Sequence, residues 1–208
     1  MPDVGLTVAE LIARADDLIA RGGRLLGIAG PPGVGKSTVA ADLVEHFGDR
    51  ARLLPMDGFH LADDELTRRG SLSRKGAPDT FDVDGYVTAL QRVRARRAPV
   101  LVPRFDRHLE AAIAGSICID PEVDLVVTDG NYLLIDVDPW RAVAPLLDER
   151  WLLEIDDEVR VKRLVARHVA HGRSAEAAAR WVADVDEANA ALVRQMSTGA
   201  DLVVRLSP

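Results

Sequence analysis

The sequence predicts an α/β protein: a three-layer sandwich in which a mostly parallel sheet carries helices on both faces, with a small helical lid. Three observations point there. Short apolar runs alternate with amphipathic helical segments along the whole chain. A Gly-x-x-x-x-Gly-Lys-Ser pattern at residues 30–37 joins the first such run to a helix. Two later runs end in Asp-Gly, at 57–58 and 129–130, the strand ends where open α/β sheets hold their ligands.

The elements follow in order. Leu6, Ala9, Leu11, Ile12, Ala15, Leu18 and Ile19 recur at helical spacing, and Gly22-Gly23 ends that helix near residue 21. Residues 24–29 (RLLGIA) read as a buried strand that enters the glycine pattern, and a helix follows to about residue 47. Residues 52–56 read as a second strand. Residues 61–82 carry many charges and two glycines, which predicts a helix fragment and an exposed loop. Val83, Tyr86, Val87, Leu90 and Val93 make a helix of 83–97, and residues 100–103 are a short extended segment. Strands are predicted at 124–128 (DLVVT), 151–155 and 202–206, and helices at 157–171 and 175 to about 196. With no repeat, low-complexity tract or linker, the expectation is one domain over 1–208, with a lid over about 160–176.

Composition narrows the function. A chain of 208 residues, 48% hydrophobic and 28% charged, can bury a core without staples. Its 26 Lys+Arg against 33 Asp+Glu leave a net charge of −7, which disfavours a duplex nucleic-acid partner. A single cysteine, Cys118, excludes an internal disulfide and a cysteine zinc cluster, and fits a reducing compartment. The start Met-Pro-Asp lacks a basic segment followed by an apolar run. No apolar stretch approaches the roughly 18 residues of a membrane span. A cytoplasmic protein without a membrane partner is expected.

The chemistry centres on Gly30, Pro31, Pro32, Gly33, Val34, Gly35, Lys36, Ser37 and Thr38, a P-loop pattern. Glycines let the backbone turn its N–H groups toward phosphate oxygens. The following helix aims its positive end at the same anions. Lys36 is expected to reach the β- and γ-phosphates, and Ser37 to ligate Mg²⁺. The chain has only three lysines, Lys36, Lys75 and Lys162; its other basic residues are arginines, so a lysine at 36 suggests a need for a compact ammonium. Asp57, just past a strand end, can face the γ-phosphate and accept a proton from a hydroxyl; an ordinary turn aspartate is the other reading. Asp129 ends an apolar strand, where a Mg²⁺-positioning acid belongs, or serves as a cap.

Four stretches resemble the P-loop small-molecule kinases that include uridine kinase, phosphoribulokinase and type I pantothenate kinase. They are Gly30 to Thr38, Met56-Asp-Gly-Phe-His60, Arg74-Lys-Gly-Ala-Pro-Asp-Thr-Phe-Asp82 and Thr128-Asp-Gly-Asn-Tyr-Leu-Leu134. The resemblance runs over about residues 24–206. It implies a P-loop NTPase fold, ATP and Mg²⁺ as cofactors, and Asp57 as general base. It also implies an acceptor pocket formed with His60, Lys75, Phe81 and Asp82, in which Asp82 bonds a hydroxyl. Val102-Pro-Arg-Phe-Asp-Arg-His108 is similar to a further pocket segment, which nominates Arg104, Asp106, Arg107 and His108 as acceptor or phosphate contacts, although its spacing departs from uridine kinases. Many relatives have glutamate at the place of Asp129. Asn131 and Tyr132 lie at the same sheet edge, toward the acceptor.

Arg160, Arg163 and Arg167 recur on one helical face, and Gly172 permits a bend beside Arg173. By resemblance this is a lid that brings Arg167 and Arg173 to the transferring phosphoryl group; a solvated basic face is the plain alternative. The cations at 92–97 suit a helix C-terminus, His168 and His171 are too weak a pair for a metal site, and the three tryptophans read as core or interface.

The expected activity is ATP-dependent phosphorylation of an alcohol on a small metabolite such as a nucleoside, a sugar or pantothenate. A nucleotide-dependent switch and a nucleoside monophosphate kinase are the alternatives. A homodimer is a family-level expectation.

Overall fold

A computed structural model describes residues 6–206. The first helix, α1 (Val8–Ala20), opens with a capping box in which Thr7 and Glu10 bond each other's backbone N–H. Strand β1 (Leu25–Ala29) is buried along its length and runs through the glycine loop into α2 (Lys36–Phe47). Next come β2 (Ala51–Leu53), α3 (Asp63–Arg68) and α4 (Val83–Ala95), then β3 (Val100–Asp106) and β4 (Ala111–Ile119). Strand β5 (Leu125–Gly130), strand β6 (Glu149–Glu154), helix α5 (Asp157–Ala170), helix α6 (Ala175–Trp181), a π-helical turn (Val182–Asp186), helix α7 (Glu187–Met196) and strand β7 (Leu202–Arg205) complete the chain.

Five strands form one parallel sheet in the order β2-β5-β1-β6-β7. Alternate residues of the central strands feed two cores, one on each face. Leu26, Ile28, Leu125 and Val127 pack with α1 and α2, whereas Leu25, Ala29 and Val126 pack with α4 and Val193 of α7. This is the expected doubly covered sheet. Because β1 is central, its carboxyl end, where the glycine loop begins, lies beside those of β5 and β6.

Two differences from the sequence expectation have local causes. The second strand stops at Leu53 rather than at residue 56. Leu54 still donates to Val127, but Pro55 has no N–H to offer, and Met56–Phe59 curls into a 3₁₀ turn. The extended segment at 100–103 is longer than expected and pairs with an unforeseen strand in an antiparallel hairpin. The segment AAIAGSICI of β4 carries no charge and mostly small residues, so neither of its faces declares itself by alternation. Among the described residues no helix is long and apolar enough to cross a membrane.

Candidate active site

The glycine loop closes over the end of β1. Gly33 has φ +80°, and a Cβ there would lie 2.6 Å from Leu164 Cγ of α5, so both backbone conformation and packing demand glycine. Val34 is wholly buried, so its share in the loop is backbone alone. Lys36 is buried and donates to Gly30 O at 2.9 Å, Pro31 O at 3.0 Å and Asn131 Oδ1 at 2.7 Å. Burial pulls its ammonium down to about 8, against the pull of Asp129 and Asp57 in the other direction.

Asp129 closes β5 next to this loop. Ser37 Oγ donates to Asp129 Oδ2 at 2.6 Å, and burial raises the carboxyl above its ordinary range despite that bond. Its strand is held in register from behind. Thr128 Oγ1 donates to Leu54 O at 2.6 Å and accepts from Tyr86 OH at 2.5 Å. This buried relay ties α4, β5 and the end of β2 together.

Asp57 stands on the 3₁₀ turn after β2. A Cβ on Gly58 would lie 2.3 Å from Pro103 O, so glycine is required there because β3 passes so close. The hairpin reaches over the turn, and Arg107 Nη2 pairs with Asp57 Oδ2 at 2.5 Å. Burial alone would raise the Asp57 carboxyl, but the positive groups His60, Arg107, Lys36 and Arg167 together hold it below its usual value. His60 Nδ1 lies 2.8 Å from Asp57 O, and its ring is packed between Phe81 and Phe105 at 4.1 and 4.8 Å. Burial keeps that imidazole below its ordinary pKa.

Lys36, Ser37, Asp57 and Asp129 line one cleft of about 680 Å³, together with Pro32 and Gly33. His60, Lys75, Phe81, Arg107, Asn131, Arg167 and Arg173 also face it. Lys75 is anchored there by Asp63 at 2.6 Å and by Glu110 O at 2.7 Å. The structure thus gathers most of the residues singled out in the sequence.

Gly30, Pro31, Val34, Gly35 and Thr38 of the loop do not belong to this lining, nor do five of the acceptor candidates, Asp82, Arg104, Asp106, His108 and Tyr132. Asp82 is exposed and caps α4, accepting from Gly85 N at 2.9 Å. Arg104 is exposed on β3, and His108 is exposed in the hairpin turn, away from the cleft. Tyr132 is wholly buried against Phe81 and Trp140, with its hydroxyl donating to Gly76 O at 2.5 Å. Tyr132 shapes the wall through Gly76 rather than meeting a ligand.

Helix α5 and the turn after it also divide their arginines. Arg160 is fully buried and bonds Glu187 at 2.5 Å, Asp157 at 2.8 Å and Pro32 O at 3.3 Å. It is a strut from α5 to the glycine loop. Arg167 and Arg173 face the cleft, with Arg173 stacked on the Trp181 ring at 4.0 Å. Among the cleft positions the sequence reading missed are those of Trp181, His168, Asp186 and Asn189. For Trp181, Asp186 and Asn189 the signal lies in the π turn, which helical periodicity does not reveal, whereas His168 lies on α5.

A phosphate-binding loop and an acid at each of two neighbouring strand ends define a P-loop small-molecule kinase. No family profile matches the chain. A protein of Schizosaccharomyces pombe, provisionally named a uridine kinase, is 33% identical over 184 residues, covering 82% of this chain and 77% of its own. A provisionally named fructose transport system kinase from Silicibacter sp. TM1040 is 37% identical and superposes with a TM-score of 0.83, covering 96% of this chain and 99% of its own. The P-loop kinase-like YFH7 of Saccharomyces cerevisiae has a TM-score of 0.80 at 16% identity, over 97% and 99% of the two chains, and shares the fold. The chain belongs to the uridine kinase-like family of P-loop small-molecule kinases.

Proposed function

We propose that the protein transfers the γ-phosphoryl group of Mg²⁺-ATP to an alcohol of a small metabolite, with Asp57 as general base. The observation that carries this reading is the convergence of Lys36, Ser37, Asp57 and Asp129 on one cleft at the carboxyl ends of β1, β2 and β5.

The loop fits a nucleotide's phosphates. Its glycine conformations leave room for anions, and its buried lysine holds protein carbonyls in the place of phosphate oxygens. The donor set at Ser37 and Asp129 fits Mg²⁺, a hard cation that takes oxygen ligands. Among the described residues no cluster of three His, Cys, Asp or Glu side chains can hold a metal alone. Mg²⁺ does not require one, because it is bound through one or two protein oxygens plus phosphates and water. When bound, it neutralises charge on the phosphate oxygens.

In this reading Asp57 orients the acceptor hydroxyl and takes its proton. A carboxylate held below its usual pKa is a weak base. That suffices when the transition state is loose and the proton leaves late. Lys36 and the lid arginines Arg167 and Arg173 carry the developing charge, and closure of the lid excludes water.

The test is ADP formation from Mg²⁺-ATP with a panel of hydroxyl compounds. An acceptor that accelerates ADP formation and is itself phosphorylated is the expected result. ADP formation indifferent to every acceptor, with tight ATP binding retained, would favour a nucleotide-dependent switch instead.

A further inference from the structure

The wall of the cleft opposite the glycine loop is built around an irregularity. Trp181 and Asp186 are five residues apart. In a regular α-helix they would point about 140° apart, at roughly 100° per residue. The π turn Val182–Asp186, with about 4.4 residues per turn, brings them within about 50° of each other. Both then face the cleft, and Asn189, three residues on, follows them. Asp186 and Asn189 are each only 7% exposed. His168 Nε2 lies 2.8 Å from Asp186 Oδ2 and fixes the carboxylate. Asn189 makes one long contact, Nδ2 to Gly76 O at 3.4 Å. The activity proposed above does not use these groups. Buried polar side chains turned into a cleft are well placed to read a ligand's hydroxyls.

The remaining chemistry of the cleft argues against other acceptor classes. A nucleobase needs a free aromatic face, yet each lining ring already has a cation or another ring against it. Arg173 lies on Trp181, His60 on Phe81, and His60, Lys75 and Arg107 surround Phe105. An acceptor phosphate or carboxylate needs a free cation near the base. There Arg107 is paired with Asp57 and Lys75 with Asp63, and Arg167, a further cation facing Asp57, is assigned above to the transferring phosphoryl group.

We infer that the acceptor is a neutral, non-aromatic polyhydroxy compound, a sugar or polyol, whose non-reacting hydroxyls are bound by Asp186 and Asn189 on the wall set by the π turn. This rests on the kinase reading above. The carboxylate accepts from one or two hydroxyls, and the amide both donates and accepts. Removing one such partner leaves a buried group unpaired, so acceptor affinity falls while the nucleotide side is untouched.

The test uses the full chain with Mg²⁺-ATP and four acceptor sets: neutral sugars and polyols, their monophosphates, carboxylate-bearing alcohols such as pantothenate, and nucleosides. Asp186→Asn and Asn189→Ala are run beside the native chain, and Asn189→Ala serves should the first variant not fold. The expected result is a neutral sugar or polyol as best acceptor. Its KM should rise about tenfold or more in either variant, with a smaller change in kcat and a KM for ATP within about twofold. A phosphorylated, carboxylated or nucleoside acceptor as the best substrate would overturn the inference while leaving the kinase reading intact. So would an acceptor KM unmoved in both variants. If no compound accelerates ADP formation, the kinase reading itself fails, and this inference with it.

Discussion

On one side of the cleft, Pro32, Gly33, Lys36 and Ser37 of a single loop form a wall with one neighbouring aspartate. Lys36 bonds carbonyls of its own loop, Ser37 bonds Asp129, and Arg160 braces the loop from below. On the other side, Asp57 with His60, Lys75, Arg107 and Asp186 come from four separate stretches of chain, held by ion pairs and ring contacts. The first wall is mostly backbone geometry, which dictates particular glycines at fixed spacing. The second is a meeting of side chains, which leaves no fixed spacing to read. In the proposed function the contrast also separates roles: the loop holds the nucleotide's phosphates, whereas the assembled wall meets the acceptor.

The largest effect should come from the backbone-made wall. Lys36→Met is expected to lower turnover by roughly 10³-fold, the scale for losing a charge-stabilising donor, in steady-state assays. A loss under tenfold would remove Lys36 from phosphoryl transfer. Next, Asp129→Asn should raise the Mg²⁺ concentration for half-maximal activity by about tenfold, the lower end for a damaged metal site. An unchanged Mg²⁺ requirement would make Asp129 a structural acid only.

On the assembled wall, Arg107→Met removes a cation that holds Asp57 ionised. With that support gone the Asp57 pKa rises, so the acid limb of the kcat/KM profile should move to higher pH. The fall in turnover at neutral pH should be under about tenfold, because Asp57 stays ionised there. An acid limb that stays in place would show that Asp57 does not govern it.

The smallest effect is a proton count. In the free protein Lys36 titrates at about 8, and phosphate anions binding beside it must raise that value. Nucleotide binding should therefore take up about half a proton at pH 8 and almost none below pH 7. Calorimetry in buffers of different ionisation enthalpy reads this directly. Zero uptake at pH 8 would mean that phosphates do not meet Lys36.

The same contrast explains what could be read from the chain. The sheet was legible because β1, β5 and β6 are apolar runs bounded by turn residues, and the glycine loop because its residues are adjacent. Asp57 was legible from its place at a strand end, though Pro55 moves it onto a 3₁₀ turn. The hairpin was not, because β4 is small and uncharged on both faces. At Asp82 an acid before a helix suits a ligand and a cap alike, and the bond seen is the cap. Tyr132 misled because proximity to a functional loop says nothing about which way a ring turns; here it enters the core. Trp181 and Asp186 escaped because a five-residue separation lies on no helical face until one turn becomes π.

The central claim is that Asp57 takes the proton while the glycine loop holds the nucleotide. It is tested by Asp57→Asn with a good acceptor, measuring phosphorylated product and the dissociation constant for Mg²⁺-ATP on the same preparation. The account requires product formation to fall by roughly 10²- to 10⁴-fold with nucleotide affinity within about threefold of the native chain. Undiminished product formation, or a loss explained entirely by weaker nucleotide binding, would contradict it.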